Sequence, residues 1–280
     1  WLIENRCNTG FDAALPGCGL MIYHIDEDKP GNSSEWHPLV FVEQADGKFD
    51  LQNPGNRGDD GDTWPNGDLA RDFHDKTTPD SKYYLGLSSE VGVWNISDPD
   101  SLMIADLEVE FSRPWLEIEN VVLSDNANGN GNGIPEAGEL IQVILYLRND
   151  WSIAEGVMSE LSIDDTLLSV TNSNSNFPDI EGDQVQSNID EPFEFLIPEI
   201  YMPRIDSLSF TLTANMGLYE DTLSSEENIG RPRILLVKDD QGIGYSTYYT
   251  AALYSNRIPS SEWDIYAAGA PVLSHLLEYR

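Results

Sequence analysis

Before about residue 240 the chain has almost no stretch in which apolar residues recur every three or four positions, so long amphipathic helices are excluded from most of it. Short runs rich in Val, Ile, Tyr, Phe and Trp alternate instead with clusters of Gly, Asn, Asp and Pro, the punctuation of strands and turns. The expected fold is therefore mainly β. From Trp115 to about Glu227 strand-like runs lie at 115–123, 139–147, 157–163, 193–197, 207–214 and 218–223. Within 207–214, Leu208, Phe210 and Leu212 share one face while Ser207, Ser209, Thr211 and Thr213 share the other, the alternation of a half-buried strand. Such runs without helices between them predict an immunoglobulin-like β-sandwich over 115–230.

The flanks read differently. Residues 1–112 carry strand-like pieces at 19–25, 39–43, 91–96 and 101–111, interrupted by a polar stretch over 47–82. A loop of that length is usually functional or held by a ligand. Arg113-Pro114 forms a joint, and a new pattern starts at Arg231. Ile234 to Val237 reads as a continuous apolar strand ended by Lys238-Asp239-Asp240, 245–255 as helix, 263–266 as a second strand and 272–279 as a second helix. This is the opening βαβα of a parallel-sheet α/β domain over 231–280, expected to be incomplete because two strands cannot bury their own faces. Trp1 opens inside an apolar segment without a signal sequence, so the chain reads as a piece of a longer protein.

Charge narrows the partners. Against 15 Lys and Arg stand 49 Asp and Glu, a formal net charge of −34, and the nearest basic pair, Arg231 and Arg233, forms no patch. Nucleic acid, whose binding needs clustered cations, is excluded as a partner. Divalent cations are the natural counter-charge. Hydrophobic residues at 40% and aromatics at 10% suffice for packed cores. No apolar run approaches the roughly 20 residues that cross a bilayer, so no membrane span is expected.

Cys7 and Cys18 flank the turn formers Gly10, Pro16 and Gly17, and a disulfide is expected, with two buried thiols as the alternative. A disulfide would imply an oxidising compartment.

The sharpest local motif is Asn128-Gly-Asn130-Gly-Asn132-Gly133-Ile134-Pro-Glu136-Ala-Gly-Glu139, which has the spacing of an EF-hand-type calcium loop. Asn128, Asn130, Asn132 and Glu139 would donate side-chain oxygens, Ile134 a carbonyl, and Glu136 would act through water, with Asp125 adding charge. The plain alternative is an Asn/Gly hairpin. A second cluster, Asp59, Asp60 and Asp62 with Asp46, Asp50 and Asp68 nearby, would repel itself unless a cation such as calcium sat within it; a solvated acidic loop is the alternative. His24, His37, His74 and His275 lack metal-ligand spacing, and His24-Ile-Asp26 and His74-Asp75 are weak pairs. Glu4, Asp26, Glu27 and Glu43 are the carboxylates available for acid/base work.

There is no H-E-x-x-H, G-x-S-x-G, G-x-G-x-x-G after a strand, or P-loop. Asn32-Ser-Ser34 and Asn95-Ile-Ser97 match the glycosylation sequon.

Six blocks then resemble, in order, the part of secreted bacterial metallopeptidases of the immune inhibitor A type that follows the zinc-binding helix. They are Glu4-Asn5-Arg6, Gly10 to Gly17, Gly19 to Glu27, His37 to Gly47, Gly58 to Pro65 and Thr77 to Ser81. The resemblance implies a secreted zinc-dependent endopeptidase with structural calcium, acting on proteins or peptides. Its H-E-x-x-H helix has no counterpart here, so no catalytic residue and no zinc ligand carry over, and zinc belongs to the parent protein only. The matched blocks would shape the substrate cleft. Residues 115–227 look like the immunoglobulin-like modules found after such exoprotease domains, and 234–264 resemble the α/β region that often follows. The expected function is thus a non-catalytic fragment of a secreted metallopeptidase, inactive alone. The rival is a calcium-stabilised surface adhesion or carbohydrate-binding protein presenting Trp94 or Trp151.

Overall fold

A computed structural model describes residues 1–34, 37–66, 70–241, 243–277 and 279. The chain is mainly β and divides into two compact units, the first Trp1–Ser112 and the second from Arg113 onward.

In the first unit, β1 (Leu2–Arg6), β2 (Gly19–Ile25) and β3 (Val40–Glu43) form an antiparallel sheet in that order. A ribbon of β4 (Gly92–Trp94) and β5 (Asp106–Glu108) lies apart from it. β2 is the central strand, and Leu20, Met21 and Ile22 are buried. Leu20 and Ile22 join Trp64, Phe73, Val93 and Ile96 in one core. Trp64 is stitched to β2 by reciprocal backbone bonds with Leu20, both 2.8 Å, and its indole Nε1 donates to the Glu43 carbonyl at 3.1 Å. That approach requires Gly19, whose φ is +155° and whose added Cβ would lie 2.3 Å from the Trp64 carbonyl oxygen. Of the strand expected over 101–111, only Asp106–Glu108 pairs, and Leu102, Ile104 and Val109 stay exposed.

The second unit opens with nine strands: β6 (Leu116–Asn128), β7 (Leu140–Asn149), β8 (Met158–Ile163), β9 (Ser169–Asn172), β10 (Asn174–Asn176), β11 (Gln184–Ser187), β12 (Phe193–Leu196), β13 (Arg204–Ala214) and β14 (Tyr219–Ile229). One sheet has the order β10-β8-β13-β14. In the other, β6 lines one edge of β7, while β11 and β12 share its opposite edge and β9 follows β12. Asn188 fills the gap between β11 and β12, accepting from Leu145 N at 2.7 Å and donating to the Val143 carbonyl at 3.3 Å. Both sheets contribute to one core: Ile141, Val143, Leu145 and Leu147 from β7, and Leu208, Phe210 and Leu212 from β13. The alternation read in 207–214 is the one observed. β9, β10 and β11 are polar strands that periodicity could not show; sheet-edge hydrogen bonds hold them.

After the sandwich, β15 (Ile234–Lys238) and β16 (Ser260–Asp264) pair in parallel across helix α1 (Ser246–Ser255). The second strand ends earlier than expected because the Asp264 carboxylate accepts from Tyr266 N and Ala267 N, starting α2 (Ile265–Ala268). The helix expected over 272–279 is a single described turn, α3 (Leu273–Leu276). No residue of α1 is buried, as a two-stranded sheet implies. Rather than standing alone, this segment clusters with the sandwich, tied by Arg257 to Glu226 at 3.0 Å and to the Ile205 carbonyl at 2.9 Å. No helix among the described residues is long and apolar enough to cross a membrane.

Candidate functional site

The most developed site lies on the first unit, where β2 runs out of the core. Its inward alternation buries His24 two residues after Ile22, and Asp26 follows just past the strand end. The segment between β2 and β3 turns back so that His37 Nε2 lies 2.6 Å from Asp26 Oδ2. β3 brings Glu43 Oε1 to 3.6 Å from His24 Nδ1. Four rings then stack in series: Trp1 on His24 at 4.2 Å, His24 on Tyr84 at 4.4 Å and nearly parallel, Tyr84 on His37 at 3.8 Å. This ladder borders a cleft of about 820 Å³, lined also by Glu27, Asp28, Lys29, Tyr83 and Leu85.

The hydrogen bond from His37 holds the Asp26 carboxyl below its usual range, outweighing the cost of burial, with the Asp28 N–H and the His37 charge helping. Burial pushes the Tyr84 phenol up to about 12, and the nearby charges of Glu43 and Asp26 add to it. The Tyr84 hydroxyl is buried without a hydrogen-bond partner. No Ser, Thr or Cys is among the described residues that line the cleft. Sequence reading noted His24-Ile-Asp26, yet Asp26 pairs with His37, and His24 faces Glu43. Only the place of His24 on the inward face of β2 was legible; Trp1 and Tyr84 carried no signal.

The acidic loop folds differently from the expected trio. Asp59 converges not with Asp60 and Asp62 but with Asp46 and Asp50, one oxygen from each lying within 4.8 Å of the others. A Cβ on Gly61 would sit 2.7 Å from Asp46 Oδ2, so the glycine permits the approach. Asp60 instead accepts from Gly17 N at 2.9 Å. Asp62, only 3% exposed, accepts from Asp59 N at 2.7 Å through Oδ2, while its Oδ1 is buried without a partner. Burial raises the Asp62 pKa, and Asp46, Asp59 and Asp50 raise it further. Lys48 Nζ contacts Asp46 at 2.7 Å and is the internal counter-charge. Asp68 lies outside the described residues. Three carboxylates around one point are hard oxygen donors, the ligand class that calcium, magnesium and manganese share.

The loop between β6 and β7 is closed by hydrogen bonds. Asp125 and Glu139 are both buried. Asp125 accepts from Asn132 N at 2.9 Å and Gly133 N at 3.2 Å; Glu139 accepts from Asn130 N at 3.0 Å and Glu136 N at 2.9 Å. Asn130 Oδ1 accepts from Asn132 N, and Asn132 Oδ1 from Ile134 N. Glu136 accepts from both asparagine amides and from Arg231 Nε at 2.5 Å. The Arg231 hydrogen bond holds its carboxyl below the usual range against burial. Asn128 ends β6 opposite Leu140.

Cys7 and Cys18 are joined in a disulfide. The sequon amides are engaged, Asn32 with the Val40 backbone and Asn95 with Asp106. Trp94 and Trp151 are buried, packed on His74 and Trp115 respectively, and present no face to a glycan.

No protein-family model matches the chain, and no curated protein sequence matches it. Among solved structures it is similar to a family 123 glycoside hydrolase from Clostridium perfringens, at 13% identity and a TM-score of 0.22, over 42% of this chain and 27% of that one. The chain thus spans about a quarter of that enzyme's length, and a likeness this slight carries nothing about function.

Proposed function

We propose that this chain is the cleft-forming and accessory part of a secreted zinc-dependent endopeptidase, with no zinc ligand or catalytic residue of its own. The carrying observation is the 2.6 Å contact between His37 and Asp26. These residues belong to two separate blocks of the resemblance, 19–27 and 37–47, and they meet at one cleft. A further block, 58–65, joins the same body through Trp64, bridged to Leu20. The substrates are proteins or peptides, met through the parent protein.

Calcium serves as structural counter-charge at Asp46, Asp50 and Asp59, where the donor set fits it, and the loop over 128–139 is the second place for it. The disulfide and the net charge of −34 suit the oxidising, calcium-rich space outside the cell. The reading as an adhesion or carbohydrate-binding protein loses its aromatic platform, since both named tryptophans are buried.

Digestion of casein by the purified chain, with zinc and calcium added, tests the reading. No cleavage is expected, and zinc-dependent cleavage by this chain would overturn it. The coding sequence upstream of Trp1 gives the positive half of the test: an H-E-x-x-H helix is expected there, and a further sandwich repeat in its place would favour adhesion.

A further inference from the structure

We propose that the cleft bordered by Trp1, His24, Tyr84 and His37 binds the cationic side chain of an arginine or lysine residue in a peptide, an inference that rests on the first unit being a peptide cleft.

The cleft is rich in acceptors and poor in donors. Asp26, Glu27 and Asp28 stand at it, and Glu43 sits directly behind His24. Facing them are Lys29 and His37. Each Asp26 oxygen makes one bond, Oδ1 to Asp28 N and Oδ2 to His37, and each keeps a lone pair for a further donor. The Tyr84 hydroxyl is buried behind this surface without a hydrogen-bond partner. The upward push of Glu43 and Asp26 on the Tyr84 phenol reports a negative potential there.

The ligand is a long side chain rather than a bare ion. Among the described residues no three His, Cys, Asp or Glu ligand atoms converge in the cleft, as a metal would need. Beside the acids lie Tyr83 and Leu85, both exposed, which give the methylene stem of Arg or Lys an apolar surface. The rings of Trp1, His24, Tyr84 and His37 pack on one another along one border of the cleft and bring aromatic edges to it. A volume of about 820 Å³ admits such a side chain with its neighbouring peptide units.

Calorimetric titration of the 280-residue chain with Nα-acetyl-arginine amide and its neutral isostere Nα-acetyl-citrulline amide decides the matter. The arginine amide is expected to bind at least about tenfold more tightly, and added salt to weaken it while leaving the citrulline amide unchanged. Asp26→Asn should cost the arginine amide about tenfold, with circular dichroism confirming the fold. Should that variant unfold, the salt dependence of the unaltered chain still decides. Equal affinity for the two amides, or no binding of either to the natively folded chain, would overturn the proposal. Zinc-dependent casein cleavage by this chain, which sinks its reading as a non-catalytic part, would leave an arginine-selective cleft standing, whereas loss of selectivity sinks only the present inference.

Discussion

His37 Nε2 lies 2.6 Å from Asp26 Oδ2, and this contact pins the segment between β2 and β3 back onto the end of β2. Tyr84 stacks on His24 and packs on His37 at a tilt, so two histidines of neighbouring segments also position a third loop. One charged contact and one ring ladder thereby shape a cleft from three segments.

The crosslink between Cys7 and Cys18 closes a loop of sequence separation 11. In the chain-entropy view such a closure stabilises by about 3 kcal/mol. Replacing both cysteines by serine should lower stability by about that amount, read as a fall in the urea midpoint of the first unit.

Gly19 is held at φ +155° with the Trp64 carbonyl where a Cβ would go. Gly19→Ala must therefore separate β2 from Trp64 and break the Leu20 bridge. A loss of about 1–3 kcal/mol is expected in chemical denaturation. A neutral result would mean that the strand is not packed this closely.

A calcium ion at Asp46, Asp50 and Asp59 would compete with the Lys48 ammonium for the Asp46 carboxylate. Lys48→Met should raise calcium affinity about tenfold in calorimetry, because the cation no longer faces a neighbouring positive charge, and should lower the melting temperature in calcium-free buffer. Asp50→Asn should abolish most of the binding heat, while Glu139→Ala should leave it. The opposite pattern would locate the ion in the loop over 128–139.

Glu136 is held below the ordinary glutamate range chiefly by its hydrogen bond to Arg231. A depressed folded pKa means that the unfolded chain takes up the proton first, so the contribution is present above the ordinary glutamate range and lost as pH falls through the depressed value. Glu136→Gln should therefore destabilise at neutral pH by no more than about 1 kcal/mol, since both partners remain partly in water. The difference from the unaltered chain should vanish in acid, and thermal melts across pH test this sign.

Much of the fold was legible because burial imposes periodicity. Leu208, Phe210 and Leu212 alternate with Ser and Thr since one face of β13 meets a core and the other does not. The disulfide was legible because turn formers separate the two cysteines, and the β-rich class because strand and turn residues alternate over most of the length. β9, β10 and β11 were silent, since an edge strand of polar residues is held by backbone bonds that any side chain permits. In the acidic loop, spacing could not show that Asp59 meets Asp46 and Asp50 while Asp60 and Asp62 turn to Gly17 N and Asp59 N. Sequence by itself determined which residues are apolar, acidic or turn-forming, and hence the strands and the charge. Only the tertiary structure decided which carboxylates meet and that His37, Tyr84 and Trp1 border one cleft, because contacts between distant segments depend on how backbones cross in space, which local spacing does not encode.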